Sequence, residues 1–146
     1  MMNTLPINEL QEMAKKDLYM DKTELVNESL KTPSLHNKWL NIFIECKKSL
    51  HELQKNHSLL YRSLWLYYSG KAPASVYKEK PFDVKLLKTD VKMFIETDEG
   101  YLESEQKLKN LQAMLNFIEA TIGEINKRSF HIKNAIDMLK FENGEM

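Results

Sequence analysis

Three cations stand seven residues apart in this chain: Lys48, Lys55 and Arg62. Seven residues are two turns of an α-helix, so on a helix the three line one face at intervals of about 10 Å. Lys47 sits beside the first, and Lys71 follows the last. Such a line can neutralise phosphates. Tyr61, Trp65 and Tyr68 are interleaved with its far end, in "LYRSLWLYYSGK" (60–71). Cations beside aromatic faces suit single-stranded nucleic acid, which offers phosphates to the one and unpaired bases to the other. Each half of the pattern also has a plainer reading. A charge line on a helix is commonly a solvated face. A helix end that is apolar all round is commonly buried against a neighbour.

Other chemistry is harder to find. "SGKAPAS" (69–75) contains a Gly-Lys pair, but Trp65 stands where a phosphate loop needs its first Gly, and Ala72 where it needs Ser or Thr. A nucleotide-binding loop is therefore excluded. The four histidines, His36, His51, His57 and His131, form no i, i+4 pair, and there is no Cys cluster, so no metal site is expected. Cys46 is the single cysteine, which rules out an intramolecular disulfide and fits a buried small hydrophobe in a reducing compartment. No local Ser/His/acid arrangement is present. No catalytic residue, cofactor or enzymatic activity is expected.

The elements that must carry the cations are helices. Trp39, Phe43, Cys46, Leu50, Leu53, His57, Leu60, Leu64 and Tyr67 alternate four and three apart, a heptad stripe with His57 as its polar member. The cations fall opposite it. A second stripe runs through Leu108, Leu111, Leu115, Ile118, Ile122, Ile125, Ser129, Ile132, Ile136 and Leu139, with Ser129 as a candidate break. Met114, Phe117, Phe130, Ala135 and Met138 widen its apolar arc beyond a two-stranded seam, which predicts packing on more than one partner. Pro6 precedes a short first helix, Thr23 is positioned to cap a second one that Pro33 closes, and Ser34 to cap the long one that Gly70 stops.

The chain thus reads as all-α, one domain over 1–146. Short helices fill 1–33, a long helix with a basic face 34–69, a loop 70–85, and a helical oligomerisation region 86–142. Its 146 residues fit one domain, and four Gly and four Pro favour long helices over strands and turns. Net charge is zero but uneven: residues 33–90 carry 10 basic and 5 acidic side chains. A neutral total argues against a tight monomeric nucleic-acid binder and leaves room for a local basic surface. With no signal peptide and no membrane span, a cytosolic protein is expected.

Four stretches carry a family resemblance: "INELQEMAKKDLYMDKTEL" (7–25), "NKWLN" (37–41), "LWLYYSG" (64–70) and "KRSFHIKNAIDMLKFENG" (127–144). Together they resemble the UvsY-type recombination mediators of large myophages, over nearly the whole chain. The loop around 72–85 is least alike. The most specific match is Arg128, Phe130, Ile132, Lys133, Asp137, Met138, Phe141, Glu142 and Gly144. The resemblance implies a ring-like homo-oligomer, of roughly six or seven copies, held by its C-terminal region. The oligomerisation residues expected are Leu111, Leu115, Ile118, Ile122, Ile125, Phe130, Ile132 and Ile136. It further implies that the ring binds single-stranded DNA and helps a RecA-like phage recombinase displace the phage single-strand-binding protein, in the cytoplasm of the infected host. The family's DNA-contacting helix end has two basic residues two apart. The first matches Arg62, but Leu64 occupies the second place. Lys71 matches a basic position after the Gly, and Ser129 stands where the family has Gly. The rival reading is a structural coiled-coil adaptor that does not touch nucleic acid. It accounts for the stripes, the zero net charge and the apolar helix end, but not for the resemblance.

Overall fold

A computed structural model describes residues 5–145. Every regular element among them is an α-helix: α1 (Ile7–Leu18), α2 (Leu25–Tyr68), α3 (Ala74–Glu79), α4 (Lys88–Glu96), α5 (Glu99–Asn126) and α6 (Arg128–Glu142). None is long and apolar enough to cross a membrane. The chain forms two compact units, one of Met1–Lys48 with Ala113–Met146 and one of Ser49–Gln112.

In the first unit α1 starts as expected. Pro6 precedes its first turn, and the Pro6 carbonyl accepts from the Glu9 and Leu10 amides at 3.0 and 3.1 Å. Leu10, Ala14, Trp39, Cys46, Leu115, Ile118, Ile125 and Ile132 are buried and form the core. Trp39 is buried completely, yet its indole N–H is satisfied: Nε1 donates to Asp17 Oδ2 at 3.0 Å. Lys38 Nζ donates to the same oxygen at 2.7 Å, so both residues of the "KW" pair fasten to α1.

The expected boundary at Pro33 is corrected. Thr23 does not cap a short helix. Its hydroxyl and its amide both donate to Asp21 Oδ1, at 2.6 and 2.9 Å, which makes Asp21 the turn residue. Pro33 and Ser34 lie inside α2, which begins at Leu25. Proline inside a helix removes a backbone donor and costs roughly 3 kcal/mol. Arg128, at the start of α6, binds the turn that precedes this proline. Its side chain is 1% exposed. Nη2 donates to Glu28 Oε2 at 3.1 Å and to the Glu28 carbonyl at 2.8 Å, and Nε donates to Thr32 Oγ1 at 3.2 Å. Residues four apart stand about 6 Å apart along a helix but about 13 Å apart along an extended chain. Gripping Glu28 and Thr32 together holds the turn before Pro33 in the helical form.

The break before α6 also differs in place. Ser129 is helical, and the interruption is at Lys127, whose amide donates to the Glu124 carbonyl at 3.1 Å in a tightened last turn. The next residue is Arg128, so the break aims the guanidinium at α2. At its far end α6 closes on Gly144, with φ +71°, which supplies the left-handed residue of a helix stop.

The second unit holds the remainder of α2, then α3, α4 and the start of α5. Leu50, Tyr67, Val91, Ile95 and Leu111 are its buried apolar residues. The segment 70–85, expected as plain loop, contains α3 behind Pro73. Asp98 caps α5, accepting from the Tyr101 amide at 3.1 Å. His57, the polar member of the first stripe, is half-buried and satisfied: Nδ1 and Ser104 Oγ share a hydrogen bond at 2.8 Å, and its ring lies 4.6 Å from that of Tyr101.

Candidate nucleic-acid interface

The end of α2 is built by one residue without a side chain. Gly70 adopts φ +75°, a conformation L side chains rarely take. The Lys71 amide then reaches back to the Leu66 carbonyl at 2.9 Å, and the Gly70 amide to the Tyr67 carbonyl at 3.2 Å. These two bonds define a Schellman stop, in which the residue after the Gly folds onto the preceding helical turn. Here that residue is Lys71, and its Nζ comes to rest 4.8 Å from the ring of Trp65. Helix geometry thus produces a cation–aromatic pair at the helix end.

Around this pair the side chains divide by exposure. Trp65 is 40% exposed and Tyr61, one turn before it, 37%. Arg62 and Lys55 are exposed, and among the described residues neither takes part in an ion pair. Tyr61, Arg62, Trp65 and Lys71 therefore form one open group with two cations and two aromatic rings. Leu64 is half-buried.

Tyr68, half-buried, does not join that group. Its hydroxyl donates to Asp98 Oδ2 at 2.7 Å, and its ring packs 5.2 Å from Phe82 and 5.7 Å from Phe94. Burial, then the Asp98 carboxylate, hold its phenol well above the usual range. This tyrosine is a clamp between α2 and the start of α5. A second clamp secures α3. Tyr77 Oη donates to the Tyr67 carbonyl at 2.8 Å and accepts from the Ala72 amide at 3.2 Å. Tyr67 in turn donates to the Lys80 carbonyl at 3.1 Å. The three aromatic rings of "LWLYYSG" thus divide into two that fasten the helix end, Tyr67 and Tyr68, and one that is exposed, Trp65.

Lys47 and Lys48 belong to the first unit. Both are exposed, and Lys48 lies 3.7 Å from Glu45, a surface pair of little energetic weight. Lys55, Arg62 and Lys71 belong to the second unit. Among the residues expected to join copies, Leu111, Leu115, Ile118, Ile125 and Ile132 are buried within the single chain, and Ile122 is half-buried. The five buried side chains pack within the single chain. Phe130 is 64% exposed, and Ile136, Met138, Leu139 and Phe141 on α6 are exposed as well. Sequence reasoning missed Asp98 and the Arg128–Glu28 pair. Asp98 could have been found as an Asp three residues before Tyr101 at a helix start. The pair spans 100 residues and has no local signal.

Residues 13–145 match the family described as "Recombination, repair and ssDNA binding protein UvsY". The recombination protein uvsY of Enterobacteria phage T4 is 27% identical over 139 residues, covering 95% of this chain and 98% of that one. Crystal structures of the bacteriophage T4 recombination mediator protein UvsY superpose on the fold. In one lattice the TM-score is 0.83 at 27% identity, over 95% of this chain and 98% of that one. In another it is 0.81 at 28% identity, over 92% and 98%.

Proposed function

The chain belongs to the UvsY family, and from that premise we propose that it is a recombination mediator: it binds single-stranded DNA as a homo-oligomer and helps load a RecA-like recombinase onto DNA covered by single-strand-binding protein. The observation that carries this reading is the open group at the end of α2, where Lys71 lies 4.8 Å over Trp65 next to exposed Arg62. The phosphates meet Arg62 and Lys71, with Lys55 one step back along the helix. Bases stack on Trp65 and Tyr61. The chemistry is binding alone, without a catalytic residue or cofactor, in the cytoplasm of the infected bacterium.

A few cations per copy bind weakly at cellular salt. Repeating the group around a ring raises affinity by about 10²- to 10⁴-fold without any new contact, because the later contacts are intramolecular. This is how a chain of zero net charge becomes a useful DNA binder. The surface proposed to join copies is the side of α6 opposite buried Ile132, with Phe130, Met138 and Phe141. Apolar side chains left open in such number on one helix mark an association surface. The test is Arg62→Ala with Lys71→Ala, measured on labelled single-stranded DNA over a salt series. Each phosphate contact contributes about 0.7 to the slope of log affinity against log salt, so the double variant should lower it by about 1.4 per subunit at unchanged oligomer mass. An unchanged slope would show the group to be a solvated face and favour the structural adaptor.

A further inference from the structure

The part of α2 in the second unit, from Ser49 to Tyr68, offers DNA two cations, Lys55 and Arg62. The segment that follows is richer. Residues 71–88 contain five lysines, Lys71, Lys78, Lys80, Lys85 and Lys88, against two acids, Glu79 and Asp83. Lys78, Lys80, Lys85 and Lys88 are all exposed, and among the described residues none is in an ion pair. Lys48, Lys92 and Lys127, in contrast, each have a carboxylate within 4 Å.

The segment is also held in place. Tyr77 stacks on Tyr67 at 5.5 Å and bonds to its carbonyl. Phe82 packs 5.4 Å from Tyr67 and 5.2 Å from Tyr68. Tyr67 Oη reaches the Lys80 carbonyl. These contacts anchor residues 77–82 while the lysines stay exposed, so less ordering entropy opposes binding there than for a free loop. Lys80 Nζ lies 5.7 Å from the Tyr67 ring, as Lys71 Nζ lies 4.8 Å from that of Trp65. Residues two apart on a helix point about 200° from each other. The cations therefore flank the end of α2 on both sides.

We propose that residues 71–88 are a second phosphate-binding surface, and that the single strand continues from Arg62 and Lys71 across the closed end of α2 over Lys78, Lys80, Lys85 and Lys88. This rests on the reading of the chain as a single-strand binder. The two can fail separately.

The experiment compares the full chain with Lys78, Lys80, Lys85 and Lys88 all changed to Gln, by anisotropy of fluorescent oligo(dT) across a salt series. The pairs K78Q/K80Q and K85Q/K88Q are made as well, so that no result depends on one variant folding. A control changes Lys15, Lys16, Lys107 and Lys109, all exposed, to Gln. The loop variant should lower the salt slope by about 1.4 or more per subunit, two contacts or more at about 0.7 each, with each pair giving part of the loss and the control less than half of it. A slope unchanged in the loop variants, or lowered equally by the control, overturns the inference. If R62A/K71A weakens binding while the loop variants do not, the inference fails and the binder reading stands. If the unmodified chain does not bind oligo(dT), both fail.

Discussion

Arg128→Met tests what holds the first unit together. The substitution keeps most of the aliphatic stem and deletes the guanidinium. Arg128 and Glu28 have side chains 1% and 6% exposed, so removing one strands the other. Glu28 would keep Lys31 Nζ at 2.8 Å, but that lysine is 60% exposed and shares its charge with water. The Glu28 carbonyl and the Thr32 hydroxyl would also lose their donors. Breaking a buried pair from one side costs about 3–5 kcal/mol. Lys31 places the expectation at the low end, about 3 kcal/mol, or a Tm lower by about 6–12 °C in a chain of this size. Urea unfolding should show the midpoint falling at constant slope. Replacing both partners, as Glu28→Leu with Arg128→Met, should recover most of the loss, because no charge is then left buried. A single variant within about 1 kcal/mol of the parent, or a double variant no better than the single, would refute the view that this pair secures α2 across Pro33.

Other expectations follow from the same contacts. The Lys31 ammonium, then Arg128, hold the Glu28 carboxyl below its usual range. Its contribution to stability is thus present above the unfolded value of about 4.3 and lost as pH falls through the folded one. Thermal melts between pH 6 and 3 should fall less steeply for R128M than for the parent. Tyr68 has the opposite sign: its folded pKa is raised, so its contribution is complete below about pH 10 and is lost as pH rises beyond. Tyr68→Phe should cost about 1–2 kcal/mol at pH 8 by urea titration and flatten the stability profile above pH 10. Phe130→Asp with Phe141→Asp should lower oligomer mass by light scattering, weaken single-strand binding, and leave the circular dichroism unchanged, since both side chains are exposed. Ile118→Asp, at a fully buried position, should instead unfold the chain.

Much of the architecture was legible because it is written locally. Pro6 and Gly70 mark helix limits by backbone chemistry that needs no partner, and the long apolar spacings give long helices. The misplaced boundary at Pro33 has a different cause. The preference against proline in a helix is local, whereas the contacts that brace the turn before Pro33 come from a guanidinium 96 residues from Thr32 and 100 from Glu28. The candidate site divides in the same way. The exposed group of Arg62, Trp65 and Lys71 could be proposed from the helix end itself, whereas the bond of Tyr68 to Asp98, 30 residues on, has no local signal. The apolar run of α5 and α6 gave the right faces but not their partners: spacing reports that a residue is covered, not whether its own chain or another copy covers it.

The most direct measurement is the equilibrium binding of the unmodified chain to fluorescent oligo(dT) and to a duplex of equal length, from low to moderate salt. In the proposed site, stacking on the exposed rings of Trp65 and Tyr61 would require unpaired bases, while Arg62 and Lys71 would require only phosphates. The single strand should bind more tightly than the duplex at every salt, with log affinity falling linearly in log salt. No binding to oligo(dT) at low salt, or equal affinity for both, would contradict the assignment of the α2 end as a single-strand site.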